Sequence, residues 1–451
     1  LLGGDVLVVF VVTLAALRLG AIRSGWDWSA AFIWEHATWF VVLTGLWLVL
    51  AWANGMYDLR QAPDRWRAAV LSGKVAVQIL VIWALAYFVP PPWTLVRHVV
   101  VFFSAGVVVA IPIWRQIYAA VFSRPAFRRR VIIVGAGASG RSMLNAIRVE
   151  RPHDFEVLGF ADDDPDLRGR RVDGIPIVCD RTDLLDTALR LGASELVVSI
   201  TRGMHGDLFA ALMEAREHGI EIEPMPVLYE SITGRVPVEH VGDQWAVALP
   251  LGPRESRGLY PVVSRAFDLL LAALGLAALS LLMIVVGPLI RMTSPGPILY
   301  RQARVGRGGR LFTLLKLRTM VEDAEPDGPV WAEPDDPRVT GVGRWLRRTR
   351  LDELPQVINI LRGDMSFVGP RPERPEFVDE LAREIPFYRA RHAVRPGLTG
   401  WASIHEGYAS SSSDALLKLQ RDLFYVKHRS LMLDAYILLR TLSTVVHMGG
   451  R

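Results

Sequence analysis

The chain has 451 residues, 51% of them hydrophobic, and its mean hydropathy is positive; it is too long for one ordinary domain and too apolar to be soluble throughout, so two or three domains with one in a membrane are expected. Lys and Arg number 51 against 46 Asp and Glu, a net charge of +5, too small an excess at this length to mark a nucleic-acid binder. The single cysteine, Cys179, excludes an internal disulfide framework and a cysteine-based zinc site.

The sequence opens at Leu1 rather than at a methionine, so a few preceding residues are expected, and no secretory n-region with a cleavage site is visible. Four apolar stretches follow: Asp5 to Ile22, Phe32 to Ala53, Val75 to Trp93 and Val99 to Phe122. Each approaches the ~20 residues of a spanning helix, the first being short and interrupted by Arg18. Arg60, Arg65, Arg67 and Lys74 lie between the second and third, and Arg124, Arg128, Arg129 and Arg130 follow the fourth. The other side carries fewer, chiefly Arg18, Arg23 and Arg97. The bias predicts a transmembrane four-helix bundle over 1–127 with everything after Arg130 cytoplasmic, and Trp26, Trp28, Trp34 and Trp93 sit where interfacial belts place tryptophans.

From Arg130 short apolar runs ("VIIVGAGASG", "FEVLGFADDD", "IPIV", "LVVSI", "EIEPMP") alternate with helical patterns. That rhythm predicts βαβ units on a parallel sheet, a Rossmann-like α/β domain over 128–257. Gly135, Gly137 and Gly140 come after a strand and before a helix, and Asp162, Asp163 and Asp164 follow about 20 residues on, where a ribose-binding acid belongs. Such a turn lets a pyrophosphate approach a helix N-terminus, which makes Gly135, Gly137, Gly140 and Asp162 candidates for NAD(P) or another nucleotide. It also persists in scaffolds that bind nothing, and no Tyr-x-x-x-Lys pair accompanies it.

The Pro-, Gly- and Arg-rich "LPLGPRESRGLYP", Leu249 to Pro261, reads as a linker into a third domain over 258–451. Leu269 to Ile290 carries no charge and could span a bilayer. Arg257 and Arg265 precede it and Arg291, Arg301, Arg304, Arg307 and Arg310 follow it, so a span would export one basic cluster. A re-entrant or in-plane helix over about 262–292 avoids that conflict, with Gly275, Ser280 or Gly287-Pro288 marking a bend. "SSSS", Ser410 to Ser413, reads as a mobile loop. "LMLDAYILLRTLSTVV", Leu431 to Val446, suits either an in-plane membrane helix or a core helix.

Within "LDELPQVINILRGDMSFVGPRP", Leu351 to Leu361 predicts a short helix ending at Gly363, with Asp352 and Glu353 in its first turn. Carboxylates there can be simple capping acids favoured by the helix dipole. Arg344, Arg347, Arg348 and Arg350 precede the pair, and Arg362, Arg371 and Arg374 follow it. Some are surface charges; a subset, with Arg348 the candidate from the preceding run and Arg371 held by "GPRP", could fork onto phosphate oxygens. Acids for a divalent cation beside arginines for a diphosphate suggest phosphoryl transfer.

The stretch "RRTRLDELPQVINILRGDMSFVGPRP", with "SPGPILYRQARVGRGGRLFTLLKLRTM" and "RHAVRPGLTGW", closely resembles the bacterial sugar transferases called monotopic phosphoglycosyl transferases. The resemblance covers about Tyr260 to Arg451, and the apolar stretches with a Rossmann-like domain ahead of it look like the large, WbaP-like subgroup, in which that front half is auxiliary. It implies an Asp-Glu dyad with Asp352 as nucleophile and Glu353 as partner, Mg²⁺ on Asp352, phosphate contacts from Arg371, and supporting roles for Arg318 and Asp422. It further implies a UDP-hexose and a polyprenyl phosphate, such as undecaprenyl phosphate, as substrates, a homodimer, the bacterial inner membrane, and the first membrane step of polysaccharide or glycoconjugate assembly. The chain departs from the family where Ser280-Leu281 replaces Ser-Pro in the re-entrant helix, and where Trp401 leads into Ala402, Ser403, Ile404 and His405 rather than Ala-Gln-Val-Asn.

Two other classes of function share parts of this pattern. A membrane-bound NAD(P)-dependent nucleotide-sugar dehydratase would need a second glycine fingerprint and a Tyr-x-x-x-Lys pair downstream, and neither occurs. A non-catalytic membrane scaffold would leave Asp352 and Glu353 as incidental capping acids.

Overall fold

Long apolar runs with few breakers satisfy their backbone groups within helices, and the front of the chain follows that rule. The structure, a computed structural model, describes residues 2–54, 56–57, 65–86, 97–122, 128–200, 206–240, 259–321, 336–405 and 412–446. Trp93, Arg60, Arg124 and the linker as far as 258 lie outside the described residues. The chain divides into two compact units, Leu1–Val131 with Ile147–Leu158, and Ile132–Ala146 with Gly159–Arg451.

The first unit holds helices α1 (Leu2–Ser24), α2 (Ala30–Glu35), α3 (Ala37–Ala53), α4 (Arg65–Ala86) and α5 (Arg97–Phe122). Helices α1, α2 with α3, and α5 follow three of the expected stretches, the second divided at His36, whereas α4 begins at Arg65, ten residues before the expected Val75, and the expected end at Trp93 lies outside the described residues. Helix α1 packs on α5 and α3, and α4 packs on α5 and α3, around Val9, Trp47, Ile79 and Phe103. Gly4 permits the approach of α1 to α5, since a Cβ there would lie 1.9 Å from the Trp114 ring. The interior also carries a charge pair that does not stand out in the sequence. Arg115 Nη2 donates to Asp5 Oδ2 at 2.8 Å and Nη1 to the Met56 carbonyl at 2.6 Å, with both side chains almost wholly buried. A pair so placed is kept only while both charges are present.

Among the described residues three helices are long and apolar enough to cross a membrane: α1, the 98–118 portion of α5, and Tyr260–Thr293 in the second unit.

The expected βαβ rhythm gives a six-stranded sheet in the order β3–β4–β2–β1–β5–β6. Its strands are β1 (Arg129–Val134), β2 (Phe155–Ala161), β3 (Arg171–Val172), β4 (Ile175–Cys179), β5 (Glu195–Val198) and β6 (Glu221–Pro224). The pairs β2–β4 and β5–β6 are parallel, while short β3 pairs antiparallel with β4. Helices α6 (Ala138–Glu150), α7 (Leu184–Leu191), α8 (Gly206–Glu217) and α9 (Met225–Thr233) intervene.

Beyond the sheet comes α10 (Tyr260–Thr293), 34 residues and unbroken, about 50 Å at the helical rise. The helix runs on through all the expected bend positions, although Pro288 inside it has no N–H for the ladder. Gly275 instead admits a neighbour, because a Cβ there would lie 2.8 Å from Val357 Cγ1. Ser280 returns its hydroxyl to the Leu276 carbonyl at 2.9 Å, and Leu281, unlike proline, keeps an N–H for the helix. One face of α10 is anchored along its length. Arg265 donates to the carbonyls of Ile360 and Leu361, Asp268 accepts from Phe367 N and Ser366 Oγ, and Val286 and Ile290 pack with Leu317 and Leu346. The other face exposes Leu270, Leu274, Leu281, Ile284 and Val285.

A β-hairpin, β7 (Leu299–Val305) with β8 (Leu311–Leu317), follows α10. After it come α11 (Gly341–Thr349), α12 (Gln356–Arg362), β9 (Ser366–Val368), α13 (Pro375–Glu384), β10 (Gly397–Thr399, parallel to β9), α14 (Ser412–His428) and α15 (Leu431–Val446). Ser412 and Ser413 open α14, whereas Ser410 and Ser411 lie outside the described residues. Helix α15 is part of the core, burying Ile437 and joining Thr441 to Thr399 at 2.7 Å.

Candidate active site

The acid pair sits on a tighter turn than its sequence predicts. Arg350 closes α11 in the left-handed region at φ 57°, a conformation that costs a residue with a Cβ. The reversal drops Leu351–Glu353 into a 3₁₀ turn ahead of α12, so the acids precede the helix instead of forming its first turn. Pro355 at the cap position lacks an N–H and separates the two pieces. The expected end holds, with Gly363 left-handed at φ 93°.

Asp352 and Glu353 are each only 8% exposed. Arg371 Nη2 donates to Glu353 Oε1 at 2.6 Å, and Lys316 Nζ donates to the same oxygen at 3.1 Å. No hydrogen bond or ion pair among the described residues reaches the Asp352 carboxylate. Burial pushes the Asp352 carboxyl up; Lys316 opposes the rise and the Glu353 anion adds to it, leaving it above the usual carboxylate range. Burial acts on Glu353 in the same sense, but Arg371 and Lys316 outweigh it and hold Glu353 well below that range. Environments that push neighbouring acids apart assign them different work.

Residues that no motif of the sequence ties to the acid pair hold it in place. The wholly buried Asn359 of α12 accepts from Leu315 N at 3.1 Å and donates to Thr313 O at 2.8 Å. It thereby satisfies the open edge of β8, the strand that carries Lys316. Arg265 covers the last carbonyls of α12. Lys316 lies in the same "LKLRTM" run that drew attention to Arg318, between the buried Leu315 and Leu317; a lone cation in a strand of apolar residues was the available signal.

The Gly-Pro-Arg-Pro turn is fixed by backbone contact. Gly369 N donates to Thr399 O and Gly397 N to Pro370 O, each at 2.9 Å. A Cβ on Gly397 would lie 2.1 Å from Gly369 N, so glycine is required there for the two strands to meet. Asp422 of α14 does not join the acid pair directly. It forms an ion pair with Arg391 at 2.6 Å, and Arg391 Nη2 donates to the Arg371 carbonyl at 3.1 Å. Burial pushes Asp422 up to about 6 against the pull of Arg391.

Of the other expected phosphate ligands, only Arg318 has its guanidinium engaged by other groups among the described residues. Arg318 spends its guanidinium on the carbonyls of Ser294 and Pro295, at the exit of α10. Arg348 is exposed, whereas Arg347 binds Thr319 Oγ1 at 2.9 Å and contributes to the field at Asp352. Gly135, Gly137 and Asp162 do converge, lining a cavity of about 500 Å³ in the sheet domain. Gly140 packs beneath it, where a Cβ would lie 2.0 Å from Gly135 O.

Among the described residues no cluster of His, Cys, Asp and Glu could by itself cage a metal ion. Mg²⁺ commonly takes one or two carboxylates and completes its shell with water and substrate phosphates. Asp352, unclaimed by the cations beside it, fits that donor set.

The family described as bacterial sugar transferase matches residues 259–448, and that described as CoA-binding domain matches residues 52–226. The chain is 42% identical over 217 residues to the UDP-N-acetylgalactosamine-undecaprenyl-phosphate N-acetylgalactosaminephosphotransferase of Aeromonas hydrophila, covering 48% of this chain and 50% of that one. It is 44% identical over 187 residues to the UDP-glucose:undecaprenyl-phosphate glucose-1-phosphate transferase of Caulobacter vibrioides, covering 40% and 69%. To the undecaprenyl-phosphate galactose phosphotransferase of Salmonella typhimurium it is 27% identical over 397 residues, covering 83% and 80%. The chain spans about half the length of the first curated relatives it matches.

Proposed function

We propose that this chain, which belongs to the bacterial sugar transferase family, transfers a hexose-1-phosphate from a UDP-sugar to a polyprenyl phosphate such as undecaprenyl phosphate. The observation that carries this reading is the asymmetry of the acid pair: Glu353 is gripped by Arg371 and Lys316, while Asp352 beside it is desolvated and left unclaimed.

An Asp352 oxygen attacks the sugar-bearing phosphorus, the bond from that phosphorus to the UMP oxygen breaks, and UMP leaves with the electron pair. The product is an aspartyl phosphosugar, a mixed anhydride that retains transfer potential. An oxygen of the polyprenyl phosphate then attacks the same phosphorus and returns the Asp352 carboxylate, giving polyprenyl diphosphate sugar. A carboxylate held as acidic as Glu353 is a poor base, so its part is to hold Arg371 and Lys316 at the phosphates, where preorganised cations stabilise developing charge. Mg²⁺, held by Asp352 and the donor's phosphates, would supply further charge neutralisation.

One substrate is a lipid and the other is dissolved in the cytosol, so the site belongs at the inner-leaflet boundary of the bacterial inner membrane. Helix α10 suits insertion from that one leaflet. Its anchored face meets the same domain from Arg265 to Ile290, which leaves no length free to carry one flank across a bilayer. The front half, a transmembrane four-helix bundle over 1–127 and a Rossmann-like domain over 128–257, is auxiliary to a catalytic domain over 258–451, and the working form is a homodimer making the first lipid-linked intermediate of a polysaccharide.

The test is to incubate the purified chain with labelled UDP-hexoses and no lipid acceptor. The expected result is one equivalent of UMP and a phosphosugar on the peptide containing Asp352. An adduct that persists in Asp352→Asn removes the assignment.

A further inference from the structure

The cavity of the sheet domain is not used by this chemistry, and its lining is that of a binding site. Gly135 turns at φ 102°, and the chain enters the 13-residue α6, whose first-turn N–H groups have no intrahelical acceptor. Gly137, Ala138 and Ser139 put that turn at the cavity wall. A Cβ on Gly137 would meet nothing within 4 Å, so the glycine leaves open space above the backbone. Beside the turn, where its N–H donates to Val134 O, Ser199 is 5% exposed, lines the cavity, and has a buried hydroxyl with no partner among the described residues. An unpaired buried hydroxyl costs the fold free energy, which a ligand that bonds it would recover. Asp162 and Asp163 lie on the rim with Arg181; Asp162 already accepts from Ala136 N at 2.7 Å and has further lone pairs for hydroxyl donors.

The last wall is Glu239 and His240, which end a segment running on from α9. That segment is docked on the half carrying the acid pair. Val236 N donates to the Gln420 carbonyl at 3.0 Å, Val236 and Val238 are buried with Leu419 and Leu423, and Trp401 Nε1 donates to Gly234 O at 2.8 Å. Glu230 holds Lys427 and His428 at 2.9 and 3.0 Å. Two residues beyond Gln420 stands Asp422, which holds Arg391, which holds the Arg371 carbonyl.

We propose that this cavity is a second ligand site, distinct from the acid pair, that takes a nucleoside diphosphate or its ester, and that residues 234–240 relay its filling to α14 and thence to Arg371. The first turn of α6, whose N–H groups have no intrahelical acceptor, recognises the diphosphate, and the carboxylates of the rim recognise ribose hydroxyls. Neither part depends on turnover, so the proposal stands or falls apart from the transfer reaction.

The test is a titration of the full detergent-solubilised chain with UDP and with ADP, in the Arg371→Ala background that disables phosphate binding at the acid pair. Binding of either nucleotide is expected, abolished by Gly137→Val. Ser199→Ala is expected to weaken it about three- to ten-fold, the worth of one hydrogen bond, while leaving the ligand-free protein at least as heat-stable. Hydrogen exchange over 236–240 and 418–422 slows on binding. Absence of binding, binding that survives Gly137→Val, or a ligand-free Ser199→Ala that melts lower with unchanged affinity overturns the site. Binding without a change in exchange over those two segments overturns the relay.

Discussion

Arg371 and Glu353 are joined by a 2.6 Å hydrogen bond between side chains of two separate turns, and that bond decides which acid of the pair is free. Because Lys316 shares the same oxygen of Glu353, two cations are ordered over the site while Asp352 keeps its carboxylate for other use. Arg371→Ala is expected to lower the transfer rate about 100- to 1,000-fold, the usual loss when a preorganised donor to the reacting phosphate is removed. The side chain is about one-third exposed, so the fold survives, as thermal melting would register; a variant that keeps wild-type turnover would dismiss the role.

The pH dependence follows from the same geometry. In the proposed reaction Asp352 must be ionised to attack, and in the metal-free chain burial holds its carboxyl above the ordinary range, so single-turnover adduct formation at limiting Mg²⁺ rises with pH through an acid limb set by Asp352. Glu353 ionises well below it and leaves no mark on that limb. In Glu353→Gln the anion that raises Asp352 is gone and Lys316 and Arg371 are released, so the limb moves to lower pH. A shift to higher pH, or none, contradicts this electrostatic account.

Asn359 holds the acid-bearing segment to β8 by two hydrogen bonds. Asn359→Leu leaves a buried N–H and a buried carbonyl of β8 unpaired, at about 2 to 3 kcal/mol of stability. Chemical denaturation of the two proteins measures the difference, and equal midpoints would mean that the strand edge finds other partners.

Asp422 gives a separate pH signature. Its carboxyl in the folded chain lies near 6, above the ordinary value, so its contribution to stability is complete below the ordinary carboxylate range and is lost as pH rises through about 6. Melting temperatures taken from pH 4 to 7 should fall with this component in the wild type and lack it in Asp422→Asn. Parallel profiles for the two proteins would rule it out.

Some of this was legible because it is local. Gly363 lies two residues after Leu361, the last apolar position of its short helix, and a residue without a Cβ is what a left-handed cap selects. The start of that helix was misplaced by five residues, since nothing short of the folded turn reveals that Arg350 adopts φ 57° and that Pro355 divides the segment. Arg318 and Arg371 look alike in the sequence, each a lone arginine in a distinctive motif, yet one closes the end of α10 and the other grips Glu353.

By itself the sequence determined the apolar helices, the α/β sheet with its glycine turn, and the adjacency of Asp352 and Glu353, because periodicity, turn chemistry and neighbouring positions act over a few residues. Only the tertiary structure decided that Lys316 and Arg371, 37 and 18 positions away, converge on Glu353 and spare Asp352, and that residues 236–240 run from the cavity wall to α14. Charge and burial act through space, and the path of the chain between such residues is set by the packing of the elements that carry them.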